Sequence, residues 1–244
     1  VNGAIRVDGI AARAFAWLVP YRCLLCGAPG DGARDLCAGC AADFATDAAR
    51  CARCASPLAQ PAPACGACLR SPPPFAAAWV AFRYAHPLDL LEARFKFHAD
   101  LAAGRVLAER LAERALADPP ARPDALVPVP LHRTRLRSRG YNQALELARP
   151  LARALAVPLR DDLLVRVRET AAQSTLDARA RRRNLRGAFA AAPERRWPAH
   201  VALFDDVMTT GTTLREASRA LLRAGVARVD AWALARAPLG PAPR

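Results

Sequence analysis

Eight cysteines fall within the first 68 of 244 residues, as four Cys-x-x-Cys pairs: Cys23/Cys26, Cys37/Cys40, Cys51/Cys54 and Cys65/Cys68. Ten residues separate each pair from the next, so the pattern repeats every 14 residues. Two thiolates at this spacing in a tight turn bind one metal ion, and two such turns complete a tetrahedral four-thiolate site. Gly27, Gly39 and Gly66 lie within or just after these turns, where a tight knuckle needs them. Eight ligands suit two structural zinc ions. Consecutive pairs would give Cys23, Cys26, Cys37, Cys40 and Cys51, Cys54, Cys65, Cys68; an interleaved cross-brace satisfies the spacing equally. Thiolates also bind iron, whereas disulfides would require an oxidising compartment to which nothing in the sequence points. Four thiolates per ion leave no position for a catalytic water, so the role is structural. Residues 20–70 carry little bulky apolar content, so metal binding must supply much of the folding free energy of this module.

Ser71-Pro-Pro-Pro74 is a stiff linker and marks a boundary, with a second domain over 75–238. Ala78–Tyr84 reads as a strand, Leu88–Phe97 and Leu101–Ala117 as helices, and Asp124–Val129 as a strand. Ala144, Leu147, Ala148, Leu151, Ala152 and Leu155 follow helical spacing. Val201–Phe204 and Val226–Trp232 supply later strands. Strands alternating with helices predict a largely parallel α/β sheet. No apolar run approaches a membrane span, and Arg6, Asp8 and Arg13 interrupt the stretch a signal peptide would need; a cytoplasmic protein is expected.

The most chemical stretch of the second domain is Val201-Ala-Leu-Phe-Asp205-Asp206-Val-Met-Thr209-Thr210-Gly211-Thr212-Thr213-Leu214. An apolar strand ends in two carboxylates, a loop of small residues follows, and a helix begins. Ligands of open α/β sheets bind beyond the carboxyl ends of the strands, and free amides at a helix start attract anions. Thr213-x-x-Glu216 has the pattern of a capping box and Gly225 suits the helix stop. The acids suit sugar hydroxyls or a Mg2+ ion bridging to phosphate. A ribose phosphate satisfies both halves. The only lysine is Lys96 and no Gly-x-x-x-x-Gly-Lys occurs, so a P-loop is excluded; no Gly-x-Gly-x-x-Gly occurs either.

The net charge of +14 is uneven: residues 125–196 hold 16 arginines against six acids. Such a region favours polyanions. Val127-Pro-Val-Pro-Leu131 leads into a basic loop with Arg133, Arg135 and Arg139, followed by Tyr141, Asn142 and Gln143 at a helix start. A second basic segment carries Gln173, Arg179, Arg183 and Asn184. Lys96, in Arg94-Phe-Lys-Phe97, stands where the composition would predict arginine. That suits a site wanting a compact ammonium, although a lone lysine at a helix end is also an ordinary surface residue.

The Asp205–Thr213 stretch resembles the phosphoribosyl-pyrophosphate (PRPP) motif of the type I phosphoribosyltransferases. The ordered set of cysteine pairs, Phe-Lys-Phe, Val-Pro-Val-Pro-Leu, Arg-Gly-Tyr-Asn-Gln, Gln-x-x-Leu…Arg-x-x-Asn and Asp-Asp-Val-x-Thr-Thr-Gly-x-Thr resembles the ComF/GntX family over nearly the whole chain. Phe204 and Met208 depart from its usual residues without touching the acids or the loop. The resemblance implies a type I phosphoribosyltransferase-like parallel sheet with helices, preceded by a double zinc ribbon. It implies that Asp205 and Asp206 hold the ribose of Mg2+-bound PRPP, with Thr209, Thr210, Gly211, Thr212 and Thr213 on the 5′-phosphate. The arginine segments would meet pyrophosphate, the second as a hood over the site. It also implies a role in natural transformation, with single-stranded DNA and other competence proteins as partners. Two functions follow as expectations: phosphoribosyl transfer, or a non-catalytic single-stranded-DNA-binding module that keeps the PRPP pocket for sensing. Aromatic residues make up only 6% of the chain, which is thin for base stacking.

Overall fold

The sheet that positions the site is built from strands buried on both faces. The computed structural model describes residues 20–169, 185–193 and 196–237. Strands β1 (Ala78–Arg83), β6 (Arg228–Arg236), β5 (His200–Met208) and β2 (Ala125–Pro128) form a four-stranded sheet in that spatial order, with every pairing parallel. Near-continuous apolar runs are what a parallel sheet covered on both faces requires. Pro128 is tolerated because β2 lies at the edge of the sheet.

Helices α3 (Leu88–His98), α4 (Leu101–Ala117), α5 (Arg133–Arg139), α6 (Gln143–Ala154) and α7 (Thr212–Ala224) complete this part, with an antiparallel pair β3 (Leu164–Arg166) and β4 (Phe189–Ala191). Val201 and Leu203 share a buried cluster with Leu214, Ala217 and Leu221 of α7. Alternation along the strands turns Ala202 and Phe204 to the other face, where α6 packs on β5 and β2. Among the described residues no helix is long and apolar enough to cross a membrane.

Two strands run further than the sequence pattern predicts. β5 continues past Phe204 through both acids to Met208, and β6 continues past Trp232 to Arg236, because each extends the other's ladder: Asp205 pairs with Ala233, Val207 with Ala235 and Met208 with Arg236. The carboxylates therefore sit on paired strand, not at its loose end.

The chain divides into two compact units between Phe44 and Ala45. The smaller holds the first four cysteines and the short helix α1 (Ala38–Ala42). The second four cysteines and α2 (Gly66–Arg70) belong to the larger unit, where Cys51, Cys54 and Cys68 join the buried cluster of Phe75, Val80 and Ala233. The 14-residue sequence period resolves into a structural period of 28. Arg22 bridges Pro29 as Arg50 bridges Pro57, and Cys37 and Cys65 both occupy the N-cap of a short helix.

Gly104 shows how tightly the helices beside the site fit. A Cβ there would lie 2.5 Å from the Phe95 ring, whose side chain is fully enclosed. Helix propensity alone favours Gly104→Ala by roughly 1 kcal/mol, whereas forcing an extra carbon into a filled core costs about 1–3 kcal/mol. Packing wins here, because the obstacle is a rigid aromatic ring. Gly104→Ala should lower the denaturant midpoint in chemical unfolding; a raised midpoint would show that propensity prevails.

Candidate active site and metal centres

A cavity of about 530 Å³ opens at the carboxyl end of the sheet. It brings together Asp205 and Asp206 from β5, Thr209 from the loop after it, Thr213 from α7, Lys96 and Glu92 from α3, Arg135 and Arg139 from α5, and Arg166 from β3. This is the crevice where open α/β sheets take ligands.

The acids are fixed by their own backbone. Asp205 Oδ1 accepts from the Asp206 amide at 3.0 Å, and Asp206 Oδ1 from the Val207 amide at 2.7 Å. Their charge states separate. Burial, followed by the neighbouring Asp206 charge, pushes the Asp205 carboxyl up to about 8. Burial also opposes charge on Asp206, but the Lys96 ammonium overrides it and holds that carboxyl below the usual range.

Lys96 is central to this balance. Its Nζ lies 2.8 Å from Asp206 Oδ2 and 2.9 Å from Glu92 Oε1, one helical turn back. Burial disfavours the ammonium, yet the two carboxylates raise its affinity for the proton. Glu92 is itself buried, which raises its pKa against the pull of Lys96, and Tyr84 donates to Glu92 Oε2 at 3.3 Å. The sole lysine is thus an internal counter-ion. Glu92 and Tyr84 were absent from the sequence expectation, although the i, i+4 spacing of Glu92 and Lys96 is a readable signal.

The loop after β5 differs from expectation in one respect. Thr213 does not cap helix α7. The N-cap is Gly211, in the left-handed region at φ 71°, and no side chain caps the first turn. A Cβ on Gly211 would lie 2.9 Å from Met208 Cε, so glycine is required twice over. Thr213 instead lies inside the first turn and faces the cavity with Thr209. Thr210 and Thr212 share a hydroxyl hydrogen bond of 2.7 Å, which braces the turn. The first-turn amides thereby keep the orientation that suits an anion.

The first basic segment is also a correction. The expected basic loop is helix α5, capped by His132 Nδ1 accepting from the Thr134 amide and ended by Gly140 in the left-handed region. Arginines two residues apart on a helix lie about 200° apart around its axis. Arg135 and Arg139 therefore line the cavity, while Arg133 and Arg137 are exposed and do not. Tyr141 does not line it either: its hydroxyl donates to the Phe95 carbonyl and its ring lies 5.1 Å from that of Phe95. Asn142 caps α6 and donates to the Val129 carbonyl at 3.0 Å, and buried Gln143 accepts from Arg139 at 2.7 Å. Asn142 and Gln143 also reach the cavity wall. Gln173, Arg179, Arg183 and Asn184 lie outside the described residues.

Arg166 was not foreseen. Its guanidinium stacks over Phe189 at 5.5 Å. Burial and then Arg135 disfavour its charge, while Asp205 favours it. Nothing local in Leu-Val-Arg signals this role; only the pairing of β3 with β4 delivers it.

The cysteines form two groups by consecutive pairing, each with all four sulfurs within 4.8 Å of one another. Cys26 and Cys37 Sγ are 3.6 Å apart, and Cys54 and Cys65 Sγ 3.7 Å. A tetrahedral zinc with four sulfurs has an edge of about 3.8 Å, and a disulfide is far shorter. The donor sets therefore fit one four-coordinate ion each. Native mass spectrometry should find two zinc ions per chain; one ion, or the absorption of an iron–sulfur cluster, would overturn this. A second measurement tests the counter-ion. Lys96→Met strands two buried carboxylates and should cost about 2–4 kcal/mol in urea unfolding. Adding Glu92→Gln should recover about half of that loss if the pairing is the cause.

Residues 14–69 match the double zinc ribbon domain family, and residues 141–244 the phosphoribosyl transferase domain family. Competence protein F of Haemophilus influenzae is 40% identical over 177 residues, covering 70% of this chain and 77% of its own. DNA utilization protein YhgH of Escherichia coli K12 is 35% identical over 226 residues, 89% of this chain and 98% of its own. Among solved structures, adenine phosphoribosyltransferase from Leishmania donovani aligns over 65% of this chain and 83% of its own, at 13% identity and a TM-score of 0.37, a likeness too loose to argue from.

Proposed function

Because the chain belongs to the ComF/GntX family, with a double zinc ribbon and a phosphoribosyltransferase-like domain, we propose that its cavity binds PRPP with Mg2+. The observation that carries this reading is the convergence in one cavity of two strand-end carboxylates, an uncapped Thr/Gly helix start and four cationic side chains. The Thr209–Thr213 loop takes the 5′-phosphate. Asp205 and Asp206 take the ribose hydroxyls, and Lys96 leaves Asp206 for the pyrophosphate. Arg135, Arg139 and Arg166 surround that pyrophosphate, so the chain's contribution to phosphoribosyl transfer is electrostatic and positional. A Mg2+ ion bound with PRPP would supply further neutralisation of the phosphate oxygens.

We assign the wider role to competence and DNA utilization, the terms in the relatives' names, in a cytoplasm that keeps thiolates reduced. The outward arginines Arg133 and Arg137 favour contact with a phosphodiester backbone, and such binding weakens steeply with salt. Salt-insensitive or absent binding of single-stranded DNA by the purified protein would remove that part.

Asp205 gives the PRPP reading a sharp test. Its carboxyl holds a proton up to about pH 8 in the free protein, and a bound cation favours its ionised form. Titration calorimetry with PRPP–Mg2+ at pH 7, in buffers of different ionisation enthalpy, should therefore report net proton release of up to about one per site. Affinity should rise from pH 6 to 8 and level off above. Asp205→Asn should abolish the release. Wild-type protein that shows no heat with PRPP–Mg2+ sinks the reading.

A further inference from the structure

Arg236 ends β6 with 2% of its surface exposed, and a guanidinium so enclosed demands partners. It has them on two sides. Nη1 donates to the carbonyls of Met208, at 2.7 Å, and Thr209, the residues where β5 turns into the Thr/Gly loop. Nη2 donates at 3.0 Å to Ser56 Oγ, which lies 3.2 Å from Cys54 Sγ of the second four-thiolate group.

The hydrogen-bond inventory fixes the direction of this chain. A serine hydroxyl donates one proton and accepts two. When Cys54 is a metal-bound thiolate, Ser56 gives its proton to the sulfur and receives the Arg236 N–H. Four thiolates around a divalent ion carry net negative charge, which a buried guanidinium offsets. Each hydrogen bond of this relay then has its donor and acceptor, from the metal ligand to the carbonyls beneath the phosphate loop, while Arg236 Nε stays buried without a partner.

We propose that Arg236 is a positioning residue that ties the second metal site to the 5′-phosphate loop, so that the metal knuckle holds the loop in its anion-binding shape. The inference rests on the PRPP reading of the cavity. It also explains why the second cysteine group lies in the core of the sheet unit.

The test compares wild type, Arg236→Lys and Ser56→Ala for zinc content and for calorimetric binding of PRPP, ribose 5-phosphate and pyrophosphate, each with Mg2+. Lysine keeps the charge but lacks the planar fork. Arg236→Lys should retain two zinc ions, weaken ribose 5-phosphate by about tenfold and leave pyrophosphate within about twofold. Ser56→Ala should weaken ribose 5-phosphate by about threefold with the same selectivity. A folded, zinc-loaded Arg236→Lys with wild-type affinity for ribose 5-phosphate, or with equal losses for both ligands, overturns the proposal. If that variant fails to fold, a Ser56→Ala protein that loses no affinity for ribose 5-phosphate, or loses as much for pyrophosphate, overturns it. Wild type that binds none of the three ligands sinks the PRPP reading instead, and this inference with it.

Discussion

The parallel ladder between β5 and β6 governs this molecule. Its register runs from His200 against Arg228 to Met208 against Arg236, and each end sets a different chemistry. In the middle, small and apolar residues let helices cover both faces. At the carboxyl end, the same register places two acids, a left-handed glycine and a buried guanidinium within a few residues of each other. A slip of one residue would turn every side chain to the opposite face, dismantling the core and the cavity together.

Within the cavity, the lysine and its acids are paired before any ligand arrives. Lys96 pairs with both Asp206 and Glu92, while burial favours the protonated form of Asp205. Arg135, Arg139 and Arg166 line the same cavity. On the proposed PRPP reading, an anion that brings its own cation would meet the cationic walls, and the acids would exchange internal partners for that cation. The cost of desolvating each charge, on the order of several kcal/mol per ion, has already been met by folding.

Much of this was legible in the sequence, for physical reasons that differ by element. The cysteine pairs and the strand–acid–loop segment are local, so spacing alone reveals them. Lys96 stood out by composition, and its partner Glu92 lay one turn away for anyone asking what a buried ammonium needs. The helix α5 was hidden because arginine at every second position mimics an extended pattern and His132 is an unusual cap. The supposed capping box at Thr213 failed because Gly211, by adopting the left-handed conformation, starts the helix earlier. Arg166 and Arg236 could not be read at all: each owes its place to strand pairing between segments distant in sequence, and a lone arginine in an arginine-rich chain carries no signal.

The position of the second cysteine group has a consequence for how the chain is made. Its ligands, Cys51 to Cys68, precede every strand of the sheet, so they emerge from the ribosome first. Because metal-knuckle formation is itself a folding step, the site can close while the sheet is still unsynthesised. The finished knuckle then offers β1 a preformed wall, through the hydrogen bond from the Ala78 amide to the Ala52 carbonyl. The order of synthesis therefore lets the knuckle be complete before the strands it supports are made.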